Sequence, residues 1–348
     1  MSKSERPARG ATIVDVALRA GVSSMTVSRV INHRPGVSED TRRIVEEAIK
    51  ALAYTPNVAA RSLVTSSELR IGILYSNVSA AFMSEFLTGV FEEASARGAR
   101  LVLLKGEGGR PPDRAALQDA LDMGLSGALL APPLGEAPEV VRMLKEAGCP
   151  MAAVGAYPSG GTICVRIDDR AAACQMTRLL LDLGHRRIGF ILGNPDQAAS
   201  AERMAGFYAA VRETGGVSVQ VAQGDFTYVS GLAAAEQLLA MPDRPTAIFA
   251  SNDDMAAAVV SVAHRQHLDV PGELTVVGFD DTIAASTLWP PLTTVHQPVR
   301  DLAAQALSLL MAEIGARGGR SKVPGETILD HQIIERQSTS AIGLSAPS

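Results

Sequence analysis

Near Leu69 the spacing of the apolar residues changes, and that change restricts the chain to few architectures. From there on, the strand-like runs Arg70-Ile-Gly-Ile-Leu-Tyr75, Arg100-Leu-Val-Leu-Leu104, Gly127-Ala-Leu-Leu-Ala131 and Met151-Ala-Ala-Val154 alternate with helical patterns around 83–97, 113–123 and 136–147. Strands separated by helices cannot be joined by tight hairpins, so they read as a parallel sheet with helices on both faces. A second series follows Asp168: helix 170–183, strand 187–192, helix 200–214, strand 218–222, helix 229–240, strand 246–249, helix 254–266 and strand 274–278. The pattern predicts two similar α/β lobes. The default small-molecule site of such a pair is the cleft beyond the carboxyl ends of the strands.

Before Leu69 the patterns are helical, and the first 64 residues read as a DNA-binding headpiece. In Thr12-Ile-Val-Asp-Val-Ala-Leu-Arg-Ala-Gly-Val-Ser-Ser-Met-Thr-Val-Ser-Arg-Val-Ile-Asn32, Thr12 and Asp15 have the spacing of a capping box, Gly21 stops the first helix and Ser23 caps a second. Val16, Ala17 and Ala20 form one apolar face and Val27, Val30 and Ile31 another, which leaves Ser24, Met25, Ser28 and Arg29 to face a groove. A third helix from Ser38 to about Leu52 would close the core with Ile44, Val45, Ala48, Ile49 and Leu52. Residues 1–64 hold ten Lys and Arg against six Asp and Glu, a net of +4, so the remainder carries −9 of the chain's −5. Such asymmetry suits phosphate binding at one end.

With 348 residues and 47% hydrophobic composition, the chain has material for two more domains after the headpiece. Met1 to Gly10 is polar and no apolar run is long enough to span a bilayer, so a cytoplasmic protein is expected. Cys149, Cys164 and Cys174 lack metal-ligand spacing and read as free core thiols; no metal or cofactor is expected.

Several polar residues fall at the carboxyl ends of the second series. Asn252 and Asp253 follow one strand, Asp280 and Asp281 another, and Arg203 lies near the start of a helix. A guanidinium, an amide and carboxylates with Phe226 and Trp289 as flat walls would suit a polyhydroxylated ring. Structural roles are equally open to the same residues: Asp253 as a helix cap, Arg203 paired with Glu202 or a nearby carboxylate, Trp289 in the core.

The ordered motifs Thr12-Ile-Val-Asp-Val-Ala17, Gly21-Val-Ser-Ser-Met-Thr-Val-Ser-Arg-Val-Ile-Asn32, Tyr54-Thr-Pro-Asn-Val-Ala-Ala-Arg-Ser-Leu63, Gly184-His-Arg-Arg-Ile-Gly-Phe190, Glu202-Arg-Met-Ala-Gly-Phe207, Asn252-Asp253, Val277-Gly-Phe-Asp-Asp281 and Pro291-Leu-Thr-Thr294 extend over nearly the whole chain. With them the chain resembles the lactose and galactose repressor family. The resemblance implies a helix-turn-helix headpiece (1–56), a hinge helix and linker (57–67) and a two-lobed periplasmic-binding-protein-like core. The lobes would comprise 68–168 with 296–326 and 169–295 with 327–340, followed by a tail, 341–348. Helix 299–314 would return to the first lobe, and 327–335 would form the final strand.

By the same resemblance, Ser24, Met25 and Arg29 match base-contact positions, and Thr12, Ser28, Asn32 and Asn57 match phosphate-positioning ones. Arg29 suits guanine, whereas Met25 cannot make the paired amide contact to adenine and suits a thymine methyl. Many family members carry Tyr-Gln where this chain has Ser24-Met25. Leu63 matches a side chain wedged between central base steps, with Ala60 allowing two hinge helices to approach. Phe82, Arg203, Phe226, Asn252 and Asp280 match effector contacts.

The implied function is a homodimeric repressor on a palindromic DNA operator, controlled by a sugar or sugar-derived effector and free of catalytic residues. Release on effector binding is the preferred direction. Corepression or dual regulation, and a cytoplasmic sugar-binding protein, are the alternatives. An enzyme is disfavoured because the carboxylates read as hydroxyl acceptors.

Overall fold

Serine caps set the helices of the first unit. The computed structural model describes residues 13–31, 38–52, 69–76, 79–316 and 323–342. It divides into two units between Glu68 and Leu69. In the first unit, α1 (Ile13–Ala20) ends at Gly21 with φ 64°. α2 (Ser24–Ile31) begins where Ser23 Oγ accepts the Thr26 N–H at 3.1 Å, and α3 (Glu39–Ala51) where Ser38 Oγ accepts the Thr41 N–H at 3.3 Å. Val16, Ala17, Val27, Val30, Val45 and Ala48 form the buried core. Ile44, expected in that core, is 45% exposed. The inward stripe of α3 is Val45, Ala48, Ile49 and Leu52, and Ile44 stands one residue, about 100° of helical rotation, off it.

The second unit has the two expected lobes. In chain order its first part comprises β1 (Arg70–Tyr75), α4 (Ala80–Arg97), β2 (Arg100–Lys105), α5 (Arg114–Asp122), β3 (Gly127–Leu130), a 3-10 turn (Leu134–Glu136), α6 (Pro138–Glu146), β4 (Met151–Val154) and β5 (Ile163–Ile167). The second comprises α7 (Asp169–Asp182), β6 (Arg187–Leu192), α8 (Ala198–Thr214), β7 (Ser218–Gln223), α9 (Tyr228–Leu239), β8 (Ala247–Ala250), α10 (Asp253–Arg265), β9 (Thr275–Val277) and α11 (Ile283–Thr287). Then come β10 (Thr294–His296), α12 (Val299–Gly315), β11 (Glu326–Leu329) and β12 (Gln332–Ile334). The sheet orders are β11-β5-β4-β3-β1-β2 and β7-β6-β8-β9, both parallel, with β10-β12 a separate antiparallel pair. The central strands β3, β4 and β8 are buried at every residue, as strands covered by helices on both faces must be.

Two elements depart from the sequence reading. β5 departs from that reading because Arg166 interrupts a run of only five residues, so no continuous apolar stretch marks the strand. The single final strand expected over 327–335 is two strands: β11 joins the first sheet, with Ile328 opposite Arg166, and only β12 belongs with β10. The last crossing between lobes therefore follows Leu329, not residue 326. α12 packs on α4, on the first lobe as expected.

The fold also sets one close approach that matters for the cleft. At Gly206 in α8, an added Cβ would lie 2.1 Å from the Arg170 carbonyl oxygen. Glycine there lets α8 press directly on α7 and brings Arg203 against Asp169. No helix among the described residues is long and apolar enough to cross a membrane.

Candidate functional site

A cleft lies where the carboxyl ends of the two sheets face each other. The first lobe contributes Ser79, Phe82, Pro132, Val154 and Arg166, and the second Asp169, Gln197, Arg203, Phe226, Asn252 and Asp280. Gln297, on a segment that crosses between the lobes, completes the polar lining.

Arg203 is the centre of the polar floor. Its Nε donates to Asp169 Oδ1 at 2.8 Å and its Nη1 to the Ser251 carbonyl at 2.5 Å, while its guanidinium carbon stands 3.5 Å above the Phe279 ring centroid. Asp280 Oδ1 is 4.0 Å from Nη1 and accepts from Gln297 Nε2 at 2.5 Å. All three charged groups are buried. A guanidinium carries five N–H donors. Two are used here, so three remain, and the Oδ2 atoms of Asp169 and Asp280 have no hydrogen-bond partner among the described residues. Burial raises both carboxyls above the ordinary aspartate value, Asp280 well above it, and the Arg203 charge opposes the rise in each. The arrangement combines unused donors with unused acceptors, which matches vicinal hydroxyls.

Flat apolar surfaces flank this floor. Phe82 sits at the start of α4, where Ser79 Oγ accepts the Phe82 N–H at 3.3 Å, and is 8% exposed. Phe226 adopts the left-handed backbone region, φ 72°, and lies over Gly193, where an added Cβ would stand 2.0 Å from Phe226 Cζ. Gly193→Ala is therefore expected to displace the ring and cost about 1–3 kcal/mol in urea unfolding, the usual penalty of overpacking. In a Phe226→Ala background, where the ring is already gone, the same glycine change should cost much less. If Gly193→Ala costs as much in the Phe226→Ala background as in the wild type, the steric account fails.

Asn252 reaches the cleft but works on the backbone. Its Oδ1 accepts the Met255 N–H at 3.0 Å, capping α10, and its Nδ2 donates to the Phe226 carbonyl at 2.9 Å. It thus fixes the segment that carries Phe226. Asp253 is a tie rather than the helix cap: Oδ2 accepts from the Thr282 N–H at 2.7 Å and Oδ1 from the Thr294 hydroxyl at 2.6 Å. Its burial pushes the carboxyl up to about 7. Asp281 points elsewhere, to Arg336 at 2.6 Å and His296 at 3.0 Å.

Trp289 is not a wall of the cleft. It is 76% exposed and absent from the lining. Among the proline-rich residues after α11, nothing in the sequence distinguished an outward ring from an inward one. The sequence reading also missed Arg166, Asp169, Gln197 and Gln297. Recognising β5 would have put Asp169 just past a strand's carboxyl end, the signal that found Asp280.

In the headpiece, Ser24, Met25 and Arg29 share the exposed side of α2, Met25 being 67% exposed. Ser28 lies on the same helix, with its side chain outside the description. Thr12, Asn32, Asn57, Ala60 and Leu63 fall outside the described residues.

Comparison with known proteins agrees with this division. Residues 12–57 match the family described as bacterial regulatory proteins, lacI family, and residues 177–339 match the periplasmic binding protein-like domain. Catabolite control protein A of Priestia megaterium is 33% identical over 333 residues, covering 94% of this chain and 99% of that protein. The structure of a transcriptional regulator CelR–cellobiose complex is 31% identical with a TM-score of 0.69, covering 94% of this chain and 99% of the other. A lac repressor dimer bound to operator and the anti-inducer ONPF is 27% identical with a TM-score of 0.78, covering 96% and 100% respectively.

Proposed function

The chain belongs to the lacI family of bacterial regulatory proteins, DNA-binding transcriptional regulators and not enzymes, and on that premise we propose that it is a cytoplasmic homodimeric repressor released from a palindromic operator by a neutral, polyhydroxylated effector. The observation that carries the effector class is the balance of charge in the cleft. Its lining holds two arginines, Arg166 and Arg203, and two carboxylates, Asp169 and Asp280. Arg166 is moreover paired outside the lining with Glu326 at 2.7 Å. An anionic ligand would be set against the carboxyl oxygens of Asp169 and Asp280 beside the guanidinium, whereas a sugar ring finds donors, acceptors and apolar faces together. The cellobiose bound by the CelR relative supports the same class.

Effector and DNA are coupled through the lobes. A ligand held between Phe82 on one lobe and Arg203, Phe226 and Asp280 on the other favours one lobe arrangement, and the shift it imposes is limited by its differential affinity for the two arrangements. A dimer presents two headpieces to two half-sites, as expected for a two-fold operator; the lac repressor relative is a dimer on its operator. Arg29, Ser24 and Met25 read bases, and Thr12, Ser28, Asn32 and Asn57 hold phosphates. Leu63, with Ala60 allowing close approach, wedges the central step of the operator. Leu63→Ala is expected to weaken specific binding at least about tenfold, since unstacking exchanges a few kcal/mol for a bent, better-wrapped site. Its effect on nonspecific DNA should be much smaller, and equal losses on both would reject the wedge.

The test of the whole reading begins with selection of bound DNA from a random library by the full-length protein, followed by a screen of sugars against the selected complex. Enrichment of a palindrome that a sugar dissociates supports it. Enrichment only in the presence of a sugar reverses the direction to corepression, and sugar binding without DNA selection replaces the repressor with a sugar-binding protein.

A further inference from the structure

Outside the cleft lining, one carboxylate joins the two lobes at a place where no chain crosses between them. Glu136 ends the 3-10 turn after β3, on the first lobe, and its Oε2 accepts the backbone N–H of Ala198 at 2.9 Å. Ala198 is the first residue of α8, on the second lobe, and Gln197 before it provides no side-chain cap. Glu136 Oε1 also accepts the Tyr157 N–H of its own lobe at 3.4 Å, which holds the carboxylate in register. The first N–H groups of a helix lack intrahelical partners, and a negative charge there is favourable. α8 thus obtains its capping charge from the opposite lobe, five residues before Arg203.

We infer that Glu136 is a latch for this lobe arrangement: it caps α8 only while the lobes are apposed, and rotation about the crossing segments withdraws it. Contacts on the crossing segments, such as Gln297 with Asp280, lie near the pivot and tolerate such a rotation. The contact from Glu136 to Ala198 joins two elements that no crossing strand links directly, so it must break. Glu136 is absent from the cleft lining, so it biases the lobe equilibrium without touching the effector. The inference concerns the lobes alone and does not depend on the operator reading.

Hydrogen–deuterium exchange on the full-length protein tests it without effector or DNA. Glu136→Ala is expected to accelerate exchange about tenfold at the first turn of α8, the scale of a lost cap. Peptides covering 82–86 on the first lobe and 226–228 on the second, which contain the cleft residues Phe82 and Phe226 and whose amides are not bonded to Glu136, should accelerate with it. Glu136→Gln, which keeps an acceptor but no charge, should fall between. Adding Gln197→Asp to Glu136→Ala gives α8 a cap of its own lobe. If the latch is correct, that second change protects the helix start while 82–86 stays fast. Acceleration confined to the α8 and Tyr157 amides that Glu136 bonds directly, or return of 82–86 to the wild-type rate with Gln197→Asp, would overturn the latch and leave only a local cap.

Discussion

Replacing Arg203 by alanine is expected to destabilise the core by about 3–5 kcal/mol near neutral pH, the typical cost of removing one partner from a buried ion pair. Asp169 and Asp280, both on the second lobe, would be left buried with no guanidinium beside them. The loss should depend on pH with a definite sign. Both carboxyls are already held above the ordinary aspartate value in the folded protein. A raised folded value means that the native state binds more protons than the unfolded chain above that ordinary value, so stability falls as pH rises through the window up to the folded value. Removing Arg203 removes the charge that opposed the rise, which extends that window upward. Urea denaturation should therefore show the Arg203→Ala deficit shrinking between neutral pH and about pH 5, and Asp169→Asn should recover part of it at neutral pH. A deficit unchanged by acid would mean that the lost packing over Phe279, and not the unpaired carboxylates, carries the effect.

Arg29→Ala is the second large expectation, this time in DNA affinity. A good paired contact to guanine contributes about 1–3 kcal/mol of discrimination. A dimer makes it twice, so the selected palindrome should be bound about 10²-fold or more weaker, with the loss concentrated at one base position in each half-site. Nonspecific DNA, held through phosphates, should lose much less. Met25 sharpens the test because it is apolar and 67% exposed on the same helix. Met25→Gln supplies the amide that adenine requires and should shift preference from thymine to adenine at the neighbouring position. Fluorescence anisotropy on operators altered one base pair at a time measures both. Uniform weakening of every DNA by Arg29→Ala would reassign that side chain to the backbone.

The residues that were legible in the sequence share a property: each is reported by its immediate neighbours. Ser23 and Ser38 announced their helices because capping is a contact within three residues. Arg203 and Asp280 were found because a loop at a strand's carboxyl end is local information. Ile44 failed for the opposite reason, since it is an apolar residue beside the inward stripe and only the packing of α3 on its neighbours decides which of two adjacent positions is covered. Trp289 failed similarly, its direction being set by the fold after α11.

The sequence by itself determined the two units, the alternation of most strands and helices, the capped helix that exposes Ser24, Met25 and Arg29, and the cleft residues Arg203, Asn252 and Asp280, because periodicity, caps and strand ends are short-range properties of the chain. Tertiary structure alone decided that Arg203 is gripped by Asp169, that Asn252 serves the backbone of Phe226, that β11 returns to the first sheet, and that Glu136 reaches the start of α8. Each of those joins residues 26 to 162 positions apart, and a contact between distant segments is fixed by which surfaces the folded lobes press together, a quantity that no local window of sequence contains.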